Sequence, residues 1–208
     1  GRQIRPKLYD LKADYPQPLA PRHQRYEIEE RIGAKGQVIK PLEDAAIESV
    51  VARVIDADVE AVAVCLLFAF VNPDHENRIG AALRKAAPGM DVSLSSDVQP
   101  EFREYERFST TVLNAYLQPL VSRYMAFLQD ELSTQAPNAK LGINQSSGGL
   151  MSADRACVYP IRTALSGPAA GVVGAGHIGR TAGRPDVVTL DMGGTSADVC
   201  LIRNGEAG

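Results

Sequence analysis

The chain has 208 residues, 45% apolar and 23% charged, with a formal net charge of −3. It is long for one domain and short for two, has the composition of a folded globular chain, and can bury roughly 70% of its unfolded surface without a disulfide or metal staple. The acidic balance excludes an overall basic face for nucleic acid, 6% aromatics without Trp argue against a base-stacking platform, and the longest apolar run, 61–71, falls short of the ~20 residues that cross a bilayer.

The first forty residues are rich in Pro and charge. Tyr15-Pro16-Gln17-Pro18-Leu19-Ala20-Pro21 disfavours helix and reads as an extended, rigid connector. Residues 25–32 alternate charged with apolar side chains, the period of a half-buried strand, and Gly33 to Gly36 supplies a loop. Leu42, Ala45, Ala46, Val50 and Val54 predict an amphipathic helix over 42–56. Residues 61–70 are apolar at every position, as in a central strand covered on both faces. Asn72 as cap and Pro73 at the first helical position open a helix to about Ala87. A strand follows over 91–95, and this helix–strand–helix–strand order implies an α/β layer with some parallel pairing.

The pattern turns helical from Glu101 to Leu132, with an interruption expected near Leu117 because the residue before Pro119 avoids the α region. Glu and Arg at three- and four-residue spacing in 101–107 read as a solvated helix face with ion pairs. A short strand at 141–145 ends in Ser146-Ser147-Gly148-Gly149, a turn or ligand-lining loop with no GxSxG elbow around it. Pro168 to Arg180 reads as a small-residue helix, and 186–191 and 197–202 read as strands.

Cys65, Cys157 and Cys200 are odd in number and form no CxxC pair, so they read as reduced core thiols of a cytoplasmic protein. His23, His75 and His177 are scattered, and neither set suggests a zinc site. The chain begins Gly1-Arg2-Gln3 rather than with Met, and closes on an Asn204-Gly205 turn signal directly after a strand. A piece of a longer polypeptide is the expectation.

The strongest chemical constellation is Asp191-Met192-Gly193-Gly194-Thr195-Ser196-Ala197-Asp198. Glycines let backbone N–H groups approach a phosphate, Thr195 adds a hydroxyl donor, and a carboxylate at each end can hold Mg²⁺ or its waters. A plain Gly-Gly hairpin turn fits the same spacing. The strand–turn–strand order is neither a P-loop nor a dinucleotide-binding turn. Gly174-Ala175-Gly176-His177-Ile178-Gly179 matches GxGxxG by letter but lies late in a helix, where glycines serve close packing.

Several segments together resemble the ATP-dependent hydantoinase A / 5-oxoprolinase family. They are Glu104-Tyr105-Glu106-Arg107 with the run from Ser109 to Leu117, Gln145 to Gly149, Ser166-Gly167-Pro168-Ala169-Ala170-Gly171, and Asp191 to Ser196. The resemblance implies an α/β fold: a ribonuclease H-like lobe of an actin/hexokinase/Hsp70-type ATPase, with a mixed sheet and flanking helices. On that reading, 1–183 is the later part of the first lobe with its connecting helix. Residues 184–208 are the truncated start of the second lobe, its phosphate hairpin. Ala197 stands where the family often has Thr. The family's first Asp-x-Gly-Gly-Thr hairpin and most of its adenosine-binding lobe are not found in this chain.

The implied chemistry is ATP-dependent opening of a cyclic amide, a hydantoin or 5-oxoproline, by phosphorylating the amide oxygen and admitting water. Asp191 is expected as the catalytic residue. Gly193, Gly194, Thr195, Ser196, Asp198, Ser166 and Gly167 are expected to bind ATP, and Asp191 and Asp198 to hold Mg²⁺. The implied partners are a hydantoinase B-like subunit or domain and a small cyclic amide, with no nucleic acid and no membrane, and with homo-oligomerisation open. The 208 residues alone are expected to be inactive. An ATP-dependent ketone carboxylase subunit of the same family, or a non-catalytic interaction module, are the alternatives. A sugar-kinase or chaperone relative is disfavoured by the 104–117 signature.

Overall fold

The structure, a computed structural model, describes residues 17–194 and 196–207. It is α/β, and its strands fall into four small sheets, two of two antiparallel strands, one parallel pair and one of three antiparallel strands. The expected mixed sheet is not assembled among the described residues, where parallel and antiparallel pairs stay in separate sheets. The chain divides into two compact units, the first ending at Pro119 and the second beginning at Leu120. Residues 1–16, which include the chain start and the beginning of the Pro-rich connector, lie outside the described residues, as does Thr195.

In the first unit, β1 (Arg31–Ile32) and β2 (Val38–Lys40) form a hairpin around a turn in which Gly36 adopts φ +80°. The period-two alternation upstream appears as burial rather than as a ladder. Tyr26 and Ile28 pack on the core, although no strand among the described residues pairs with them. Helix α1 (Asp44–Asp56) buries Ile47, Val51 and Val54. Of the positions predicted to face the core only Leu42 and Val54 are fully buried, so the helix sits rotated from the expected face. The larger β-branched side chains remove more apolar surface than Ala45 and Ala46 could, about 1.5–3 kcal/mol each when fully covered.

Strand β3 (Ala61–Val64) is less than half the predicted length. The apolar run continues as a tight loop in which Phe68 takes a left-handed φ of +58°. Asn72 Oδ1 accepts the backbone N–H of Asp74 and opens α2 (Asp74–Ala86), while its amide donates to Gly36 O. β4 (Asp91–Leu94) then pairs in parallel with β3, in register Ala61–Asp91 through Val64–Leu94. This is the parallel pairing the element order implied. Ile79 and Leu83 of α2, with Val64, Val92 and Leu94, close the core. A single turn, α3 (Ser95–Val98), follows β4.

Helix α4 (Glu104–Gln135) is continuous through Pro119. The predicted break does not occur. The ring removes one N–H, the donor that would meet Ala115 O, and side-chain anchors on either side keep the helical path. Gln118 is buried against Ser93 before it, and Met125 is buried in a second core after it.

In the second unit, β5 (Gly142–Asn144) and β6 (Leu150–Ser152) pair antiparallel, so the Gln145–Gly149 segment is a hairpin turn with Gly148 and Gly149 at positive φ. Ser152 Oγ accepts the Arg155 N–H and caps α5 (Ala153–Val158). Met125, Met151, Ala153 and Ala156 form the core there. Helix α6 (Ser166–Thr181) precedes β7 (Val187–Met192), β8 (Ala197–Arg203) and β9 (Glu206–Ala207). Gly176 lies against Ile202, and a Cβ on Gly179 would stand 2.7 Å from Val187 and 2.8 Å from Arg184 O. Gly176 and Gly179 therefore serve helix–strand packing, as read for that segment. The opposite face of β7–β8 is bare: Val188, Leu190, Met192, Val199 and Leu201 are all exposed.

Candidate functional site

The hairpin of β7 and β8 carries the predicted site. Thr189 pairs with Cys200, Leu190 with Val199, Asp191 with Asp198 and Met192 with Ala197. Gly193 N–H donates to Ser196 O at 3.0 Å and closes the turn. Side chains alternate across a strand, so Asp191 and Asp198 share the face of Val187, Thr189, Cys200 and Ile202, the face that α6 packs on.

Both carboxylates are exposed, and neither makes a side-chain hydrogen bond or ion pair among the described residues. Like charges directly opposite in a ladder repel. A divalent cation with oxygen ligands would relieve that repulsion, so the residues present fit such an ion. The turn is open as well. A Cβ on Gly194 would meet nothing within 4 Å, and one on Gly193 only Ser196 O at 3.8 Å.

The remaining predicted residues divide. Ser196 lies in the turn. Thr195 falls outside the described residues. Ser166 and Gly167 begin α6, behind Leu165 at φ +59°, and among the described residues no hydrogen bond or ion pair joins them to the hairpin. Among the described residues no group of three or more His, Cys, Asp or Glu is gathered, and no helix is long and apolar enough to cross a membrane. The three cysteines are free.

The 104–117 signature proves to be a buried polar seam in the first unit. Arg107, Thr111, Asn114 and Gln118 stand at helical spacing on one face of α4, and all are buried. Arg107 donates to Ser95 Oγ at 3.2 Å, to Glu101 O at 2.5 Å and to Leu66 O at 2.9 Å. Glu76 accepts from Ser95 Oγ at 2.7 Å and from the N–H groups of Leu66 and Ser96 at 2.8 and 2.9 Å. One serine hydroxyl therefore bridges a buried guanidinium and a buried carboxylate. Asn114 donates to Ser93 Oγ, which donates to Gln118. Glu104, Tyr105 and Glu106 stay exposed, with a loose Arg103–Glu106 pair at 3.8 Å. The solvated-face reading therefore holds for these residues and fails at Arg107. Polar residues spaced i, i+4, i+7 and i+11 from Arg107 carried the signal that a second, buried face existed.

The sequence model of the hydantoinase/oxoprolinase N-terminal region matches residues 1–87, and that of hydantoinase/oxoprolinase matches residues 107–208. The chain belongs to the hydantoinase/oxoprolinase family. Within it, the chain is 40% identical over 204 residues to an uncharacterized protein of Methanocaldococcus jannaschii, covering 98% of this chain and 30% of that one. It is 37% identical over 190 residues to the caprolactamase subunit alpha of Pseudomonas jessenii, covering 90% of this chain and 27% of that one. A solved nucleotide-free acetone carboxylase, from work on ATP-dependent acetone carboxylation, superposes with a TM-score of 0.78 at 28% identity. It covers 93% of this chain and 28% of that one. The chain thus spans under a third of the length of these relatives.

Proposed function

We propose that this chain is part of an ATP-dependent enzyme of its family that opens a cyclic amide, and that residues 191–198 form one of its phosphate-binding hairpins. The observation that carries the reading is the pair of opposed, unpartnered carboxylates beside an open Gly-Gly turn. Asp191 and Asp198 would hold Mg²⁺, which supplies charge neutralisation for phosphate when bound. Gly193 and Gly194 would present backbone N–H groups, with Thr195 and Ser196 adding hydroxyls. Ser166 and Gly167 would contribute from the start of α6, the connecting helix of an actin-like lobe. Asp191 would orient the reacting groups.

The caprolactamase likeness supports amide substrates, a hydantoin or 5-oxoproline type among them, and its designation as a subunit supports a partner such as a hydantoinase B-like chain. Free thiols support a cytoplasmic setting. A second reading, ketone carboxylation, draws support from the acetone carboxylase likeness.

The test is Mg²⁺-dependent ATP turnover by the intact protein with its partner, with cyclic amides in one arm and ketone plus bicarbonate in the other. Amide-stimulated turnover lost in Asp191→Asn is expected. Stimulation only by ketone selects the carboxylase branch, and absence of Mg-ATP binding favours a non-catalytic module.

A further inference from the structure

A different part of the second unit carries an arrangement that the hairpin does not use. The guanidinium carbons of Arg155 and Arg162 both lie over the Tyr159 ring, at 5.1 and 4.7 Å from its centroid. The three residues are fixed by their backbone. Tyr159 N–H donates to Arg155 O at 2.9 Å, and Arg162 N–H donates to Tyr159 O at 3.0 Å. Their neighbours Ala156 and Pro160 are fully buried and root the segment in the core.

Neither arginine side chain has a carboxylate within ion-pair distance or a hydrogen-bond acceptor among the described residues. Arg155 is exposed and Arg162 half-buried. Stacking occupies a guanidinium's face and leaves its edge of N–H donors open. Two like charges held at one ring repel, and an anion bound by both would offset that cost. Arg162 O also accepts the Ser146 N–H at 2.8 Å, which sets the open Gln145–Gly149 turn beside the pair.

We propose that Arg155, Tyr159 and Arg162 form a binding site for a phosphate dianion. A planar carboxylate fills one guanidinium fork, whereas a tetrahedral dianion offers oxygens to two separate forks and matches their summed charge. The phosphate is either free or the phosphoryl end of a larger ligand. The site shares no residue with the hairpin and stands or falls independently of it.

The experiment titrates the intact protein with inorganic phosphate, ADP or acetate at fixed ionic strength, read by calorimetry. Saturable phosphate binding is expected. Arg155→Gln and Arg162→Gln should each weaken it at least tenfold, while Lys85→Gln, which removes an exposed cation outside both sites, leaves it unchanged. A component of ADP binding that is lost in both arginine variants identifies a phosphoryl ligand, and phosphate binding lost in both while ADP binding keeps all its components identifies free phosphate. Arg155 is on the surface, so its variant carries the test even if Arg162→Gln folds poorly. The proposal is overturned by acetate binding as tightly as phosphate, by no saturation up to about 10 mM, by unchanged binding in Arg155→Gln, or by loss in Asp191→Asn alone.

Discussion

Asp191 lies directly opposite Asp198 across the β7–β8 ladder, with only the Met192–Ala197 pair between them and the turn. Opposed carboxylates cost the apo hairpin on the order of 0.5 kcal/mol. Asp198→Asn should therefore raise the urea midpoint in metal-free, low-salt buffer. Added Mg²⁺ should stabilise the wild type more than the variant. Equal responses of the two proteins to Mg²⁺ would show that the pair does not hold the ion.

The serine bridge between Arg107 and Glu76 sets up a contrast between adjacent hydroxyls. Removing Arg107 leaves Glu76 buried without its bridged counter-charge, so Arg107→Ala should cost about 3–5 kcal/mol. Ser95→Ala breaks both hydrogen bonds at the bridge and should cost about 1–3 kcal/mol. Ser96 Oγ, one residue on, is buried with no partner among the described residues. Ser96→Ala should be neutral or stabilise by about 1 kcal/mol. Equilibrium unfolding of the three variants measures the order, and a Ser96→Ala loss as large as that of Ser95→Ala would contradict it.

Burial beside Glu76 pushes the Cys65 thiol up to about 12, with Arg107 and Thr111 opposing weakly. The folded form thus holds its proton where the unfolded thiol, near 9, has lost it. Below pH 9 both states are protonated and the contribution to stability is complete. Between about 9 and 12 the unfolded chain ionises first and stability falls. At pH 8 iodoacetamide should modify Cys157 and Cys200 well before Cys65, as mass spectrometry of timed digests would show. Labelling of Cys65 at the same rate as the others would refute this.

The glycines of the GxGxxG stretch should separate by position. Gly179→Ala drives a Cβ against Arg184 O and Val187, an overpacking cost of about 1–3 kcal/mol. Gly174 faces open space, so Gly174→Ala should stabilise α6 by roughly 0.8–1 kcal/mol through helix propensity. Thermal melts of the two variants should move in opposite directions. A shared direction would mean that the segment does something other than pack.

Much of the element order was legible, because periodicity and caps are local signals. The Asn72–Pro73 start of α2 and the 191–198 hairpin follow from residues within a few positions of one another, and the parallel β3–β4 pair follows from the order of such local elements. What escaped depends on tertiary context. Pro119 looked like a break, yet Gln118 and Met125 anchor the helix on either side of it. The 61–70 run looked like one long strand, but Phe68 turns the chain after Val64. Arg107 looked solvated because Glu104 and Glu106 beside it are, and its burial is set by Ser95 and Leu66, which sequence spacing cannot bring together.

The bare face of β7–β8 bears on handling in the laboratory. Five large apolar side chains there, with an outer edge of β7 that no other described strand pairs with, make a flat adhesive surface. Preparations of these 208 residues by themselves would tend to self-associate through it, and light scattering would rise with concentration. A charge placed at Leu190 or Val199, away from the carboxylate face, is the natural solubilising change.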